Sequence, residues 1–376
     1  MLCSHMTRVI IVGAGTFGAS LAWWLSGRGD EVVLVDQFEP GDRRATSGGE
    51  TRLIRCAHGA ETDYTAMARR AWTLWRELEH ESGAELLTET GVCWFAHAKN
   101  GWEAKSQRAL KKLKIPAERW SVDDAAKRFP SFDGDDLSWV LFEPEAGVLR
   151  AQLAVRTLVQ QAQARGATFV QGKAIPDGDY AIVNGKGYEG DRVVWASGGW
   201  LRQLFPDLVQ LRVTLQELFF YDGGPAWRNA PAWVDCDRAT YGTPDLHALG
   251  TKIAWDSEGP AIGPDDDLPV AATEETEKLA RGYVADRFPA LAEARLAGST
   301  TCRYELSADS HFIAAPHPEH PSVWLVGGGS GHGFKHGPAL AERIAAAWDG
   351  TAELPPHFAL GERAAGQSFR SAGSNF

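Results

Sequence analysis

The amino-acid sequence predicts an α/β protein made of two interleaved domains. A strand, a glycine-rich turn and a helix follow one another near both ends of the chain, as in parallel sheets covered by helices. Between these ends, residues 90–138 and 211–303 differ in composition, with runs such as 213–221 and 252–255 that are rich in aromatic and β-branched residues. We therefore expect an α/β domain whose separated segments enclose a second, α+β domain.

The amino-terminal segment carries the clearest motif. An apolar run, Arg8–Val12, predicts a buried strand and leads into the turn Gly13-Ala14-Gly15-Thr16-Phe17-Gly18, a helix, and a second strand at 31–35 that ends at Asp36. In this context the glycines let the backbone approach a pyrophosphate, and the acidic residue accepts hydrogen bonds from a ribose diol. The motif predicts a Rossmann-like dinucleotide-binding domain, and by itself it leaves FAD, NAD and SAM open.

Further elements extend this domain along the chain. Apolar residues at helical spacing predict amphipathic helices around 71–78 and 155–162, and a strand at 191–196 runs into a second glycine turn, Ser197-Gly198-Gly199. We expect the dinucleotide-binding domain to comprise residues 6–89, 139–210 and 304–376, and the second domain residues 90–138 and 211–303.

The stretch from Cys302 to Pro338 joins a lone thiol, a strand at 322–326 and a glycine turn with His332 and Lys335. Pro338 suits the first turn of the helix that follows. Exposed backbone N–H groups beside a lysine suit an electron-rich, partly anionic group such as a reduced flavin ring. The same arrangement could bind any phosphate or carboxylate.

Composition narrows the class of protein. The 376 residues are enough for about two domains, and a net charge of −11 argues against nucleic acid or an anionic membrane as the main partner. No apolar run approaches the length of a membrane span. Five scattered cysteines predict a reducing compartment, so we expect a cytoplasmic protein. The residues Ser4-His5-Met6 are compatible with a cloning remnant.

Nearly the whole chain resembles the monomeric sarcosine oxidase and N-methyltryptophan oxidase family, within the D-amino-acid-oxidase group of FAD enzymes. The resemblance rests on GAGTFG with Asp36, the segment Gly49-Glu50-Thr51-Arg52-Leu53-Ile54-Arg55, Thr90-Gly91-Val92, Glu143-Pro144-Glu145-Ala146-Gly147-Val148, and Cys302 through Lys335. The SGHGFK turn with a cysteine at this distance upstream is highly specific to that family. It implies a Rossmann-like FAD-binding domain interleaved with a substrate domain whose mixed sheet covers the flavin.

The resemblance also implies roles for individual residues. Cys302 matches a cysteine bonded covalently to the flavin 8α-methyl, and Lys252 matches a lysine near flavin N5 that promotes reaction with oxygen. Arg55 and Lys335 match residues that bind the substrate carboxylate. Tyr241 and Tyr304 match active-site tyrosines, and Arg52 an arginine over the flavin. The implied cofactor contacts are Gly13, Gly15, Thr16, Phe17, Gly18, Asp36, Gly49, Thr51, Arg52, Ser197, Gly198, Trp200, Cys302, Gly331, His332, Gly333 and Lys335. We expect no metal ion.

Each of these residues also has a simpler interpretation. A lone cysteine is most often a small buried hydrophobe, which is what the residues alone predict for Cys302. Arginines three apart, such as Arg52 and Arg55, are usually solvated, although a guanidinium fork suits a bidentate carboxylate. Lys335 could merely cap a loop, and His332 could be structural.

The chain departs from the sarcosine oxidases at Asp256, where they typically carry histidine. On the predicted strand Lys252, Ala254 and Asp256 share a face, about 13 Å apart at the ends, so Lys252 and Asp256 are not expected to pair. Asp256 is either a solvated carboxylate at a strand end or an acceptor for a substrate N–H. The piperideine-carboxylate oxidase of nikkomycin biosynthesis, a relative in this family, also has aspartate here. Ala60 and Gly48 likewise replace a glutamate and a histidine of the sarcosine oxidases.

These observations predict an FAD-dependent oxidase of a secondary or cyclic amino acid, monomeric, that forms an imine and reduces oxygen to hydrogen peroxide. The substrate amine must be neutral to donate hydride. A nicotinamide-linked dehydrogenase would share the first motif but has no use for Cys302 or the SGHGFK turn. A non-catalytic flavin-binding protein is the third possibility, and the presence of Lys252, Arg55 and Lys335 speaks against it.

Overall fold

The structure is a computed structural model and describes residues 6–363. The expected cloning remnant at Ser4 and His5, and the last part of the predicted 304–376 segment, lie outside the described residues. In chain order the strands are β1 (Arg8–Val12), β2 (Glu31–Asp36), β3 (Thr51–Ile54), β4 (Leu87–Thr88), β5 (Val92–Ala96), β6 (Glu118–Trp120), β7 (Trp139–Glu143), β8 (Gly147–Arg150), β9 (Thr168–Gln171), β10 (Ala174–Asp177), β11 (Tyr180–Val183), β12 (Lys186–Tyr188), β13 (Arg192–Trp195), β14 (Leu211–Asp222), β15 (Ala232–Asp235), β16 (Thr240–Thr243), β17 (Thr251–Trp255), β18 (Arg295–Ser307), β19 (Ile313–Pro316) and β20 (Val323–Gly327). The α-helices are α1 (Thr16–Gly27), α2 (Thr62–Ser82), α3 (Trp102–Lys112), α4 (Val122–Ala126), α5 (Ala151–Ala164), α6 (Leu201–Leu204), α7 (Glu274–Arg287), α8 (Pro289–Ala292) and α9 (Gly337–Trp348).

A mostly parallel sheet of order β19-β20-β13-β1-β2-β9 forms the first layer. Only the β19–β20 pair is antiparallel among its neighbours. The apolar runs of its inner strands are buried, and α1 packs against both α5 and α9 over one face. The α/β class and the strands predicted at both ends of the chain are confirmed. Because carboxyl ends of parallel strands meet at one sheet edge, the glycine turns after β1, β13 and β20 come together there.

A second sheet of order β18-β14-β17-β16-β15-β5-β7-β6 is mixed, because β15 and β5 are parallel while its other neighbours are antiparallel. Its two longest strands, β14 and β18, pair along their length with an irregularity between Phe220 and Tyr221. Side chains alternate between its faces. Phe219 and Ile253 lie in a core with residues of α7, whereas Ala254 and Cys302 lie in a small apolar cluster on the other face.

Two smaller, three-stranded sheets are also present among the described residues. One has the order β10-β11-β12, and the other, β3-β8-β4, carries the Thr51–Ile54 segment toward the mixed sheet. The predicted boundary at 138/139 precedes β7, a strand of the mixed sheet, and the boundary at 303/304 falls within β18. Among residues 6–363, none of the helices is both long enough and apolar enough to cross a membrane.

Candidate active site

A cavity opens at the carboxyl edge of the parallel sheet, where the predicted turns meet. Of the predicted site residues, those that line it come from six separate segments: Gly13, Gly15, Thr16, Phe17, Asp36, Arg52, Ser197, Gly198, Trp200, Tyr304, Gly331 and Gly333. The other predicted residues lie outside this lining: Gly18, Gly49, Thr51, Arg55, Tyr241, Lys252, Asp256, Cys302, His332 and Lys335. The sequence motifs are therefore brought to one place, with a second set of predicted residues beyond the cavity.

The glycines of the first turn are required by close packing. Gly13 has φ +109°, and a Cβ there would lie 2.2 Å from the carbonyl oxygen of Ala196. A Cβ on Gly18 would lie 1.9 Å from the carbonyl oxygen of Gly13, which explains why the third glycine supports the turn without lining the cavity. Helix α1 begins at Thr16, so the N–H groups of its first turn and the positive end of its dipole adjoin the cavity. This end of the cavity suits a pyrophosphate.

Asp36 stands at the end of β2 and lines the same cavity. Its carboxylate accepts hydrogen bonds from the backbone N–H groups of Ala14, at 2.6 Å, and Phe38, at 2.8 Å. Burial raises the pKa of this carboxyl, and the two backbone donors act in the opposite direction. The carboxylate is thereby held in one orientation beside the turn, as a ribose-binding acidic residue needs.

Three buried polar atoms test whether the cavity fits FAD. The hydroxyl oxygens of Ser47 and Ser197 and Oε2 of Glu305 have no hydrogen-bond partner within residues 6–363, and all three residues line the cavity. Buried polar atoms of this kind need a partner, which a ligand rich in hydroxyls and ring nitrogens supplies. The glycine turn, Asp36 and these three atoms fit FAD.

Arg52 links the cavity to a group of residues under the mixed sheet. Its guanidinium donates to the carbonyl oxygens of Thr46, Gly48 and Thr51 and lies over the Phe334 ring, 5.8 Å from its centroid. Gly49 lies beside this guanidinium with φ +89°, a backbone conformation that favours glycine. Arg52 is thus held by backbone oxygens and its position does not depend on a carboxylate.

Lys252 and Cys302 are buried next to this arginine. Burial, followed by the charge of Arg52, lowers the pKa of Lys252 to about 7. Lys252 Nζ donates to the carbonyl oxygen and the hydroxyl of Thr51, each at 3.4 Å. Burial raises the pKa of the Cys302 thiol, while the nearby charges of Arg52 and Lys252 lower it. Cys302 is a free thiol in β18, so sequence and structure agree that it is buried.

Tyr241, Tyr304 and Asp256 form the next group along the mixed sheet. Both tyrosines contact the apolar cluster that contains Cys302, and Lys252 Nζ lies 5.1 Å from the centroid of the Tyr241 ring. Burial raises the pKa of Tyr241 to about 12. The Tyr304 hydroxyl donates to Asp256 Oδ1 at 3.5 Å, and Asp256 itself is half-buried one residue beyond β17. The carboxylate thus adjoins the expected active-site tyrosines.

Arg55 and Lys335 lie together on another side, near a group of histidines. Lys335 is 2% exposed, and its Nζ donates to the carbonyl oxygen of His332 at 2.9 Å. Burial lowers the pKa of His58, and the charges of both cations act in the same direction. His332 Nε2 lies 2.9 Å from the carbonyl oxygen of Ser310. The structure therefore brings the predicted carboxylate-binding pair to a common neighbour.

Sequence reasoning missed several residues of this region. Glu305 and Arg303 line the cavity on either side of the predicted Tyr304, and their adjacency to it on β18 is the signal that could have identified them. His58, His332 and His336 are buried with ring nitrogens within 4.8 Å of one another. No local sequence pattern predicts this histidine cluster, since His58 and His336 are 278 residues apart in the chain.

Comparison with known proteins agrees with this geometry. The model of the FAD-dependent oxidoreductase family named DAO matches residues 8–347. The chain is 30% identical over 353 residues to a monomeric sarcosine oxidase of Bacillus sp. (strain B-0618), covering 89% of this chain and 90% of that protein. It is 28% identical over 346 residues to an N-methyl-L-tryptophan oxidase of Salmonella dublin, covering 89% of this chain and 92% of that protein.

The fold has close counterparts among solved structures. NikD, described as an unusual amino acid oxidase essential for nikkomycin biosynthesis, superposes with a TM-score of 0.76 at 20% identity, covering 94% of this chain and 97% of that chain. At this identity the likeness concerns the fold alone. Because the family model matches residues 8–347, from β1 into the last turn of α9, this protein belongs to the FAD-dependent oxidoreductase family.

Proposed function

We propose that this protein is an FAD-dependent oxidase of a secondary or cyclic amino acid, converting its C–N bond to an imine while oxygen is reduced to hydrogen peroxide. The observation that carries the proposal is the pair Arg55 and Lys335, two cations gathered beside His58 in a chain of net charge −11. A half-buried arginine and a buried lysine on one side of the site suit a carboxylate, which is the anionic group that an amino-acid substrate carries. The curated relatives named above act on sarcosine and N-methyl-L-tryptophan by their names, which are secondary amino acids.

In this proposal the protein binds both ends of the amino acid. Arg55 and Lys335 hold the carboxylate, which fixes the substrate in position and excludes amines without an acid group. Asp256, beside the Tyr304 hydroxyl, accepts the substrate N–H at the other end. Two anchors on one small molecule leave it little rotational freedom, and this orientation is a large part of what an enzyme contributes.

FAD held in the cavity would supply the acceptor for a hydride from the carbon next to the amine nitrogen, and would pass the two electrons on to oxygen. The nitrogen must be unprotonated for this, because its lone pair forms the C=N bond as the hydride leaves. Lys252, whose pKa is lowered to about 7, can hold or release a proton at Nζ near neutral pH. A cation there stabilises negative charge that develops as oxygen is reduced.

We also propose that Cys302 is the residue that would be joined to FAD by an 8α-S-cysteinyl bond. The S–H bond and one 8α C–H bond would be broken, and the two electrons would go to the flavin and from it to oxygen. The position of Cys302 supports this, because its free thiol is buried beside Arg52 and Lys252, whose charges offset part of the rise in its pKa that burial causes. The division into an FAD-binding and a substrate domain, the monomeric state and the cytoplasmic location belong to the same proposal. Limited proteolysis, light scattering and cell fractionation address these three points.

Two measurements test the proposed function. The absorbance spectrum of the purified protein should show a flavin, which a nicotinamide-linked dehydrogenase would not carry. A hydrogen peroxide assay over N-methyl and cyclic amino acids, each paired with the same amine lacking the carboxylate, should give turnover of acids only. A flavin spectrum without peroxide from any amine would favour a non-catalytic flavin-binding protein.

A further inference from the structure

Arg55 makes two contacts through one nitrogen. Its Nη1 donates to the carbonyl oxygen of Ala57 at 2.7 Å and lies 2.7 Å from Nε2 of His58. The planar guanidinium also lies over the Trp94 ring, 5.1 Å from its centroid. These contacts limit rotation of the fork about its long side chain. The orientation of Arg55 therefore depends on the His58 imidazole, among other contacts.

The tautomer of His58 follows from its partners. Its Nδ1 lies 2.9 Å from the carbonyl oxygen of Cys56, which can only accept, so Nδ1 carries the proton. Nε2 then has a lone pair and accepts from Arg55. Only the neutral ring can do this, because an imidazolium would point an N–H at a guanidinium N–H.

The surroundings keep that ring neutral. His58 is 2% exposed, and burial lowers its pKa well below the usual value, with Arg55, Lys335, His336 and His332 acting in the same direction. His336 Nε2 also lies 3.2 Å from His58 Nε2, a longer contact with the nitrogen whose single lone pair accepts from Arg55.

The backbone that carries His58 is anchored separately. The buried Glu143 carboxylate accepts from the backbone N–H groups of Cys56, at 2.7 Å, and Ala57, at 3.2 Å. The Ser106 hydroxyl accepts from the N–H of Gly59 at 2.8 Å. The loop can therefore be perturbed at Ser106 without removing the acceptor that faces Arg55.

A cation bound by the three histidines is a weaker interpretation of the same cluster. The lone pair of His58 Nε2 already accepts from Arg55, and that arginine and Lys335 place two positive charges beside the group. A metal ion would have to displace the guanidinium and bear that repulsion. The hydrogen-bond geometry favours a role toward Arg55.

We propose that His58 is a positioning residue that holds the Arg55 guanidinium in the orientation in which it binds a substrate carboxylate. This inference rests on the proposed function, and it adds a residue that determines preference for acids over neutral amines. His58 acts through Arg55 and takes no part in the redox step.

The test uses the flavin-loaded enzyme and a cyclic acid without an oxidisable nitrogen, tetrahydrofuran-2-carboxylate, titrated by its effect on flavin absorbance. Tetrahydrofurfuryl alcohol is the uncharged counterpart. His58→Leu, which removes the acceptor, should weaken binding of the acid by about 10- to 100-fold, as expected for loss of a hydrogen bond to a charged group, and leave the alcohol unchanged. His58→Gln, which keeps a neutral acceptor, should restore binding close to wild type. Ser106→Ala, the loop control, should also bind like wild type.

Several results would overturn the inference. If His58→Leu binds the acid with wild-type affinity, the imidazole does not position Arg55. If Ser106→Ala loses as much affinity for the acid as His58→Leu, the effect belongs to the loop. If His58→Leu does not fold, His58→Phe is the acceptor-free variant, with thermal melting as the check on folding. A rise in melting temperature with zinc chloride that disappears in His336→Leu would assign the histidines to a cation. Failure of the wild type to bind the acid at all would refute the proposed function itself.

Discussion

Lys252 Nζ lies 3.4 Å from both the carbonyl oxygen and the hydroxyl of Thr51, so the mixed sheet is joined to the β3 segment by a buried ammonium group. The lysine is 1% exposed and has no carboxylate in these two contacts. Two neutral oxygens at long range solvate a cation poorly, which agrees with the lowering of its pKa to about 7. Lys252 therefore changes charge in the range where the enzyme is expected to work.

The first prediction concerns Lys252 in the reaction with oxygen. If the cationic form is needed, reoxidation should slow as the pH rises through about 7, because deprotonation removes the charge. Lys252→Met should abolish this pH dependence and slow reoxidation by a factor equivalent to about 3–4 kcal/mol. Lys252→Arg keeps the charge at all pH values and serves as the control. Stopped-flow measurements separate the two half-reactions, and equal slowing of both in Lys252→Met would contradict the assignment.

The second prediction is that acid precipitation leaves the flavin in the wild-type pellet and releases it from Cys302→Ala. Cys93, a free and fully buried thiol in β5, provides the matched control, so Cys93→Ala should retain its colour in the pellet. The absorbance of pellet and supernatant at flavin wavelengths is the measurement. Free flavin in the wild-type supernatant would refute the covalent bond and leave the FAD assignment intact.

The third prediction is that Arg55→Met and Lys335→Met each weaken binding of the acid substrate. The cost should be about 2–5 kcal/mol, because the carboxylate would remain buried with half of its partners. Arg70→Met is the control, since Arg70 pairs with Glu342 on the partly exposed side of α2. The kcat/KM for the acid, measured by peroxide release, reports the loss. If decarboxylated amines are turned over as well as the parent acids, Arg55 and Lys335 do not bind the substrate carboxylate.

The fourth prediction concerns Glu305, whose buried carboxyl lines the cavity and whose pKa is raised to about 7 by burial. Because its pKa is raised on folding, the carboxyl adds most stability below its ordinary value near 4.5, and that contribution is lost as the pH rises through about 7. Glu305→Gln mimics the neutral acid, so melting temperature should vary less with pH over this interval and flavin content should stay near wild type. Glu305→Leu removes the polar group and should lower flavin content. Full flavin content in Glu305→Leu would exclude a role in holding the cofactor.

Local patterns were enough to predict the part of the cavity whose geometry fits a dinucleotide. The turn from Gly13 to Gly18 and the acid at Asp36 follow from spacing, because strand, turn and helix are consecutive in the chain. The resemblance added the residues that lie beyond the cavity, such as Lys252 and Cys302. Neither source could predict the contact between His58 and His336, whose positions become neighbours only when α2 and α9 pack together. The burial of each side chain, which largely sets the direction of its pKa shift, also could be determined only from the folded chain.

For Asp256, the structure favours one of the two interpretations that the sequence leaves open. A solvated strand-end carboxylate has no need of a buried neighbour, yet the Tyr304 hydroxyl donates to Asp256, and the carboxylate lies near Tyr241. These contacts favour a position of Asp256 in the substrate region. There its carboxylate accepts an N–H in a way that the neutral histidine typical of the sarcosine oxidases would not.

The last prediction is therefore about selectivity. Asp256→Asn keeps the shape and removes the charge, so turnover of a cyclic substrate with a ring N–H should fall strongly while flavin content is unchanged. The wild type should prefer that substrate to sarcosine, and the preference should shrink in the variant because the charge that favours the ring nitrogen is gone. Asp222→Asn, at the exposed end of β14, is the control for a lost surface charge. Peroxide release with both substrates measures the ratio. If Asp256→Asn and Asp256→Ala both leave rate and ratio unaltered, Asp256 contributes only to the packing of Tyr304, and recognition of the nitrogen must come from another group.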